Sequence, residues 1–383
     1  MAFYPVSKPF IGSKEKKYVN ESLKSHAISG FFGENIKKFE EKFAKFCGTK
    51  YAFTCSSGTT ALHLAIMILR LKKNDEVLIP AITNMATYFA AIYEKCRIVP
   101  VDVLGEDLNI DPNDLRKKIS KKTKALIVVH LFGKPINFKE IIKITKNKNI
   151  KIIEDCAEAH GASYFGQKVG SIGDIGCFSF YANKIITTGE GGMVTTNNKN
   201  YYLKGKSLKQ LSFGKKNKFI HEDIGYNYRL TNIQASIGLA QLESINKIIK
   251  ERNNIKKNYD ELLSGCEHLI LPINDNKNIF TVCWQYHVIL KLKSKQIRNN
   301  IMKELKKFGI EVREGFISAT LQKYFQKYNL IKKGNCLIAE KNSYSSFYLP
   351  TYIGLNLKDQ KFITKKLIKI CDKNLTMISH NHL

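Results

Sequence analysis

The order of two kinds of segment constrains the fold of this chain most. Between about residues 36 and 200, short apolar runs rich in β-branched residues alternate with segments whose apolar residues recur at helical spacing. Such alternation is typical of a mostly parallel sheet that is covered by helices on both faces. The sequence therefore predicts an α/β fold, with strands at residues 51–55, 77–80, 98–101, 125–130 and 150–154 and a helix over residues 36–46.

A different pattern follows the long helix that is predicted over residues 231–257, which Thr231 or Asn232 would cap. The mixed order of strands and helices after this helix indicates a smaller α+β unit. We therefore expect two domains, over residues 1–245 and 246–383, and the N-terminal segment of the first can pack on the second. The predicted elements of the smaller unit are strands at residues 284–292 and 310–313 and helices at residues 295–308 and 357–373.

Charge distribution narrows the classes of partner. The chain carries 62 basic and 33 acidic residues, a net charge of +29. Such an excess suits nucleic-acid binding, but the basic residues occur in short runs such as Lys121–Lys122 rather than in one tail or stripe. We therefore interpret the charge as a lysine-rich, solvated surface and expect no nucleic-acid partner. A basic field would equally attract a diphosphate-bearing substrate.

Cysteine spacing and apolar run lengths indicate the compartment. None of the nine cysteines forms a C-x-x-C pair, and the nine histidines show no H-E-x-x-H spacing. We expect reduced thiols, no metal site and a cytoplasmic location. The first 12 residues lack the pattern of a signal peptide, and no apolar run reaches the roughly 18 residues of a membrane span. We therefore expect no membrane partner.

Small polar residues lie where the chain passes from the first predicted strand into a helix. Residues 56–60 read Ser-Ser-Gly-Thr-Thr. Free backbone N–H groups and the dipole at a helix N-terminus favour an anion. Gly58 would let a phosphate approach the backbone, and Ser57 or Thr59 would add a hydroxyl donor. The same run also suits an ordinary helix cap, so this segment alone leaves both interpretations open.

Acidic residues follow the strand at residues 150–154. Ligands of open α/β sheets bind beyond the carboxyl ends of strands, which directs Asp155 into a predicted site. A carboxylate there can pair with the protonated ring nitrogen of a cofactor that acts as an electron sink. Glu158 and His160 follow on the same loop, where they would contact a ring hydroxyl or the substrate. A helix N-cap is the alternative role for Asp155.

Lys184 stands alone among apolar and small residues, whereas most lysines of this chain lie in polar clusters. Partial desolvation would lower the pKa of its amine and make it a nucleophile able to form a Schiff base. A surface lysine before a hairpin is the alternative interpretation of this segment. The glycines between residues 170 and 176 lack the G-x-G-x-x-G spacing of a dinucleotide site.

Five stretches of the chain are distinctive when taken together: residues 56–65 (SSGTTALHLA), 123–133 (TKALIVVHLFG), 153–161 (IEDCAEAHG), 173–196 (GDIGCFSFYANKIITTGEGGMVTT) and 224–242 (IGYNYRLTNIQASIGLAQL). In this order they resemble the sugar aminotransferases of the DegT/DnrJ/EryC1/StrS family. The resemblance implies the fold-type I aminotransferase architecture, with a mostly parallel seven-stranded sheet and a smaller α+β C-terminal domain. It also implies pyridoxal 5'-phosphate (PLP) as the cofactor and a homodimer with active sites at the subunit boundary.

By position, the resemblance makes Lys184 the catalytic lysine that binds PLP as a Schiff base. It makes Asp155 the partner of the pyridine nitrogen, and it places Glu158 at the phenolic oxygen of the ring. In the same way it assigns the phosphate to Gly58, Thr59 and Ser179, with Asn227 reaching it from the other subunit. It assigns a substrate or donor carboxylate to Arg229, and His160 remains a candidate for binding the substrate from its place on the loop after Asp155.

The reaction implied by the resemblance is amino transfer from L-glutamate to a nucleotide-linked 4-keto-6-deoxyhexose, with GDP favoured as the nucleotide. The product would be a 4-amino-4,6-dideoxy sugar for a surface polysaccharide or glycoconjugate. Two features depart from the family: Asn84 follows Thr83 where relatives carry an aromatic residue, and residues 314–324 lack their prolines and histidine. Lys184 argues against the dehydrating branch, which carries histidine there. C3 amination, dehydration and a basic nucleic-acid-binding regulator are the alternatives.

Overall fold

The computed structural model describes residues 2–214, 216–221, 223–273 and 275–380. Its elements fall into three sheets and the helices that cover them. The strands are β1 (Tyr51–Cys55), β2 (Glu76–Pro80), β3 (Arg97–Val101), β4 (Thr123–Val129), β5 (Lys151–Asp155), β6 (Ser163–Tyr164), β7 (Gln167–Lys168), β8 (Ile175–Ser179), β9 (Gly192–Thr196), β10 (Leu269–Ile270), β11 (Ile279–Phe280), β12 (Tyr286–Leu290), β13 (Arg313–Glu314) and β14 (Ser346–Leu349).

Among the described residues, none of the helices is long and apolar enough to cross a membrane. Short 3-10 turns are formed by Leu131–Gly133 and Ala319–Leu321. The helices are α1 (Ser13–Lys24), α2 (Asn35–Cys47), α3 (Gly58–Ile68), α4 (Met85–Tyr93), α5 (Pro112–Lys118), α6 (Phe138–Thr145), α7 (Lys199–Leu208), α8 (Asn232–Glu243), α9 (Ile245–Leu263), α10 (Lys295–Lys306), α11 (Lys323–Lys327), α12 (Leu337–Ser343) and α13 (Leu357–His380).

The largest sheet has seven strands in the order β1-β9-β8-β5-β4-β2-β3. Its five strands from β8 to β3 run parallel, whereas β9 is antiparallel to both β8 and β1. Strands β2 and β8 are buried along their whole length, as expected when helices cover both faces of a parallel sheet. The predicted α/β class and the mostly parallel sheet are therefore confirmed, and the five predicted strands of this region correspond to β1 to β5.

A second sheet, in the order β10-β12-β14-β13, is antiparallel throughout and packs against α9, α10 and α13. Its buried core includes Tyr259, Tyr286 and Phe347. The N-terminal segment joins this part of the molecule, because Tyr4 forms a bridge with Ile310 and the backbone N–H of Thr351 donates to the carbonyl of Val6. The domain boundary near residue 245 stays a prediction.

Two predicted elements differ from the structure. The helix predicted over residues 231–257 is two helices, α8 and α9, because the chain leaves helical geometry at Ser244 (φ −104°, ψ 1°). The break lets α8 pack on α1 and α2 while α9 turns towards α13. The strand predicted over residues 310–313 is also wrong, since β13 begins only at Arg313. The Thr231 cap is confirmed by the hydrogen bond that its side chain accepts from the N–H of Gln234.

An aromatic cluster joins α2 to the end of β8. The ring of Phe43 lies 4.9 Å from that of Phe178 and 5.5 Å from that of Phe180, measured between centroids. Phe39 packs on both Phe43 and Phe180. All of these side chains are buried. Because Phe180 begins the turn that leads to Lys184, the cluster fixes the backbone from which this lysine projects.

We expect Phe43→Ala to lower the free energy of unfolding by about 3–5 kcal/mol, since it removes a buried aromatic ring and leaves a cavity. Phe3 is 66% exposed and provides a matched control. Phe3→Ala should change the free energy by no more than about 0.5 kcal/mol. Urea denaturation followed by circular dichroism measures both variants. Equal denaturation midpoints for the two variants would contradict the structural role given to Phe43.

Candidate active site

A cavity of about 390 Å³ lies where β5 and β8 end. Both parts of the chain contribute to its walls, and six of the predicted site residues line it. Those six are Gly58, Thr59, Asp155, Glu158, Ser179 and Lys184, and the smaller unit adds Trp284, Arg313, Phe316 and Tyr348.

The N-terminus of α3 forms one end of the cavity. Ser57 caps this helix, because its Oγ accepts a hydrogen bond of 3.1 Å from the N–H of Thr60. A Cβ atom on Gly58 would lie only 2.7 Å from the Cβ of Ser179, so no larger residue fits there without displacement. The helix start and the end of β8 are therefore in direct contact. Backbone N–H groups, small side chains and the helix dipole make this end suitable for an anion.

Asp155, the last residue of β5, forms the floor of the cavity and is buried. Its Oδ2 accepts a hydrogen bond of 2.8 Å from the hydroxyl of Thr87, and its Oδ1 accepts one of 3.1 Å from the N–H of Ala157. Burial raises the pKa of this carboxyl group, and the two hydrogen bonds oppose that effect. A cationic partner inside the cavity would oppose it further.

Lys184 lies in the turn after β8, with its side chain only 11% exposed. Its Nζ is 3.7 Å from Oε1 of Glu158, whose other oxygen accepts a hydrogen bond of 2.8 Å from the N–H of Phe132. Burial lowers the pKa of Lys184 and raises the pKa of Glu158 to about 7. The cavity therefore places an amine whose pKa is lowered next to a carboxyl group whose pKa is raised.

Three predicted site residues lie outside this cavity. His160 is buried between the rings of Phe178 and Phe180, and burial lowers its pKa to about 3, so it is a neutral side chain of the core. Asn227 is exposed on the segment that pairs with Gln210. Arg229 lines a separate cavity, with its guanidinium carbon 4.7 Å from the ring centroid of Phe31.

Other groups in the cavity or next to it were not predicted, because they come from distant parts of the chain. Thr87 binds Asp155 from α4, 68 positions away, and nothing in the sequence around this threonine indicates that contact. The sequence offers one indication that Trp284 has a special role, since it is the only tryptophan of the chain. The Asn84 side chain lines the cavity while its Oδ1 caps α4 by accepting a hydrogen bond of 3.0 Å from the N–H of Ala86.

A second buried group of polar side chains lies on the opposite face of β5. It contains His130, Glu154 and Cys156, whose ligand atoms are near one another. The carboxylate of Glu154 accepts hydrogen bonds from the N–H groups of Gly170, Ile172 and Gly173 as well as contacting His130. Because these donors already surround Glu154, the group serves to hold the loop before β8.

The profile of the DegT/DnrJ/EryC1/StrS aminotransferase family matches residues 9–368. The GDP-perosamine synthase of Escherichia coli O157:H7 is 37% identical over 375 residues, which are 97% of this chain and 98% of that protein. The sequence is thus similar to that of an entire relative, without a large unmatched part in either protein.

Solved structures share the fold. Spr1654 of Streptococcus pneumoniae in its PMP form gives a TM-score of 0.94 at 26% identity and covers 99% of this chain and 100% of that one. The same protein has been solved in a PLP form. Helicobacter pylori PseC, an aminotransferase involved in the biosynthesis of pseudoaminic acid, gives a TM-score of 0.90 at 27% identity over 97% of this chain and 100% of that one.

In the ligand-free protein, the amine of Lys184 should react with an amine-specific reagent at a lower pH than exposed lysines, because burial lowers its pKa. The midpoint of labelling against pH, read for each peptide by mass spectrometry, measures this. Lys17, whose side chain is 70% exposed, serves as the internal control. Glu158→Gln should lower the Lys184 midpoint further, since the carboxylate favours the protonated amine. A Lys184 midpoint at or above that of Lys17 would contradict the lowered pKa of the Lys184 amine.

Proposed function

Since the chain belongs to the DegT/DnrJ/EryC1/StrS aminotransferase family and is a PLP-dependent sugar aminotransferase, we propose a specific reaction for it. The enzyme transfers the amino group of L-glutamate to C4 of a nucleotide-linked 4-keto-6-deoxyhexose and forms a 4-amino-4,6-dideoxy sugar of the perosamine type for a surface polysaccharide or glycoconjugate. The observation that carries the proposal is the amine of Lys184 held in one cavity with the Asp155 carboxylate. Similarity to a GDP-perosamine synthase over nearly the whole chain supports GDP as the nucleotide.

The cavity suits PLP because its three kinds of group correspond to the three polar parts of that molecule. We propose that Gly58, Thr59 and Ser179 hold the phosphate at the N-terminus of α3. The carboxylate of Asp155 would pair with the ring nitrogen and keep it protonated, and Glu158 would bind the phenolic oxygen. When bound, PLP supplies an electron sink for the negative charge that develops on the donor's α-carbon.

Lys184 has two roles in the proposal. Its amine binds the cofactor covalently between turnovers, which requires the neutral form that burial favours. Once released, the same amine acts as general base and then as general acid for the α-proton of glutamate, and it performs the reverse transfer when the keto sugar is aminated. Glu158, with its raised pKa and 3.7 Å from Nζ, can share the proton with Lys184.

We further propose a homodimer, in which Asn227 of the partner subunit reaches the phosphate and Arg229 of the partner subunit binds a substrate or donor carboxylate. Large exposed apolar side chains close to this segment support it, since such surfaces mark protein interfaces. These exposed side chains are Phe31, Phe32, Phe219, Ile220 and Ile224.

We place the enzyme in the cytoplasm, because the nine cysteines, all within the described residues, are buried and unpaired.

Lys184→Ala should abolish both the visible absorbance band of the PLP-loaded enzyme and turnover of keto sugar, because the variant has no amine to bind the cofactor or to move the proton. Lys168→Ala is a matched control, since Lys168 is also a partly buried lysine over an aromatic ring but lies outside the cavity. The control should keep the band and its response to glutamate. Turnover by Lys184→Ala at the wild-type rate would refute the catalytic role.

Product mass tests the reaction type and the substrate. We expect incubation with L-glutamate and a GDP-linked 4-keto-6-deoxyhexose to yield an amino sugar, and the UDP- and dTDP-linked analogues to react at least tenfold more slowly. Loss of water instead of gain of an amino group would indicate a dehydratase. A preference for 3-keto sugars would overturn the assignment to C4.

A further inference from the structure

Trp284 reaches from the smaller unit to the backbone beside Lys184. Its indole Nε1 donates a hydrogen bond of 2.8 Å to the carbonyl of Asn183, the residue before the lysine. Its own carbonyl accepts a hydrogen bond of 2.9 Å from Nη1 of the buried Arg252. Trp284 is only 2% exposed. Trp284 is therefore held both at its indole and at its backbone, and the indole is bound to the segment that carries the amine.

Aromatic neighbours fix the plane of the indole. Phe316 lies 6.3 Å from it between centroids, with planes 11° apart, and Phe132 lies 6.1 Å away, with planes 20° apart. The rings of Phe132 and Phe316 also lie 5.8 Å from each other, so the three rings form one group, and close packing within it restricts rotation of the indole. The face that the indole turns to Lys184 is therefore set by packing and does not depend on the lysine itself.

The amine of Lys184 lies over this face, with Nζ 4.1 Å from the ring centroid. An ammonium group is attracted to the negative face of an indole, and this attraction is strongest in a desolvated site, whereas a neutral amine gains much less. The ring therefore adds to the effect of the nearby carboxylates of Glu158 and Asp155 on the protonated amine. Tyr348 and Arg313 are the ionisable groups that the smaller unit adds to this wall, and Tyr181 and Glu190 line the rest of the cavity. The charge of Lys184 also reaches the buried His160, whose pKa it lowers.

From this geometry we propose that Trp284 is a positioning residue for Lys184. Its ring stabilises the ammonium form that the released amine takes once it has accepted the α-proton as general base, and it aims that group at the cavity. The proposal rests on the proposed function, which requires Lys184 to alternate between a covalently engaged nitrogen and a free one. The ring attracts the free, protonated amine more strongly than the neutral one. It thereby gives the proton carrier a defined place during the steps in which no covalent bond holds it.

Labelling of Lys184 in the cofactor-free protein tests the proposal without any turnover. We expect Trp284→Leu to lower the pH midpoint of labelling by about one unit, because the cation–π attraction is lost. Trp284→Phe should give an intermediate midpoint, since phenylalanine keeps a weaker aromatic face. Phe308→Leu is the matched control, because it removes an aromatic ring from beneath a different lysine of the smaller unit, Lys366, and its Lys184 midpoint should equal that of the wild type.

An unchanged or higher midpoint in Trp284→Leu would overturn the proposal. If Trp284→Leu fails to fold, Trp284→Phe alone tests the proposal. A midpoint equal to that of the wild type in Trp284→Phe would then overturn it. A different experiment shows whether the proposed function itself is wrong. If borohydride reduction of the PLP-loaded wild type and peptide mapping place the cofactor on a lysine other than Lys184, the proposed function fails. The labelling midpoints measured without cofactor still test the role of Trp284 in that case.

Discussion

The burial of one amine and two carboxyl groups in a single cavity is the constraint on which the rest of the site depends. Isolated charges are costly to remove from water, so each group needs partners that the fold holds in place. Asp155 obtains them from Thr87 and from the backbone of Ala157. Glu158 and Lys184 lie together, and the backbone of Phe132 donates to the carboxylate. The perturbed pKa values that the proposed proton transfers use are thus a consequence of this burial.

The fold brings these partners together from separate layers. Parallel strands end at one edge of the sheet, so β5 delivers Asp155 and β8 leads to Lys184 from neighbouring positions. The backbone of Phe132 lies in a left-handed conformation (φ 53°, ψ 18°) in the turn after β4, and its N–H meets Glu158 there. Such a conformation is uncommon for a large side chain and needs support. Stacking of the Phe132 ring with His287 and Trp284 provides that support from the smaller unit.

The sequence predicted those features that local context encodes. Alternation of strand and helix patterns gave the large sheet, and the isolation of Lys184 among apolar residues indicated its burial. His160 shows the limit of this reasoning, because its place in the chain suggested the cavity while Phe178 and Phe180 surround it in the core. The break at Ser244 depends on which elements α8 and α9 pack against, which periodicity does not reveal. Contacts such as Thr87 with Asp155 depend on tertiary structure alone.

Asn84 departs from the family pattern, and the structure gives this residue a different role beside the cavity. The resemblance implies an aromatic residue here, whereas asparagine has no ring to stack on a cofactor. Its Oδ1 instead caps α4, and an asparagine cap contributes about 1 kcal/mol to a helix. Because α4 carries Thr87, the cap steadies the hydroxyl that binds Asp155. Trp284, Phe316 and Tyr348 of the smaller unit supply aromatic surface to the cavity, and Tyr181 in the turn after β8 adds to it. The smaller unit thus contributes an apolar wall of the cavity, while Asn84 stabilises α4 and with it the contact between Thr87 and Asp155 at the floor.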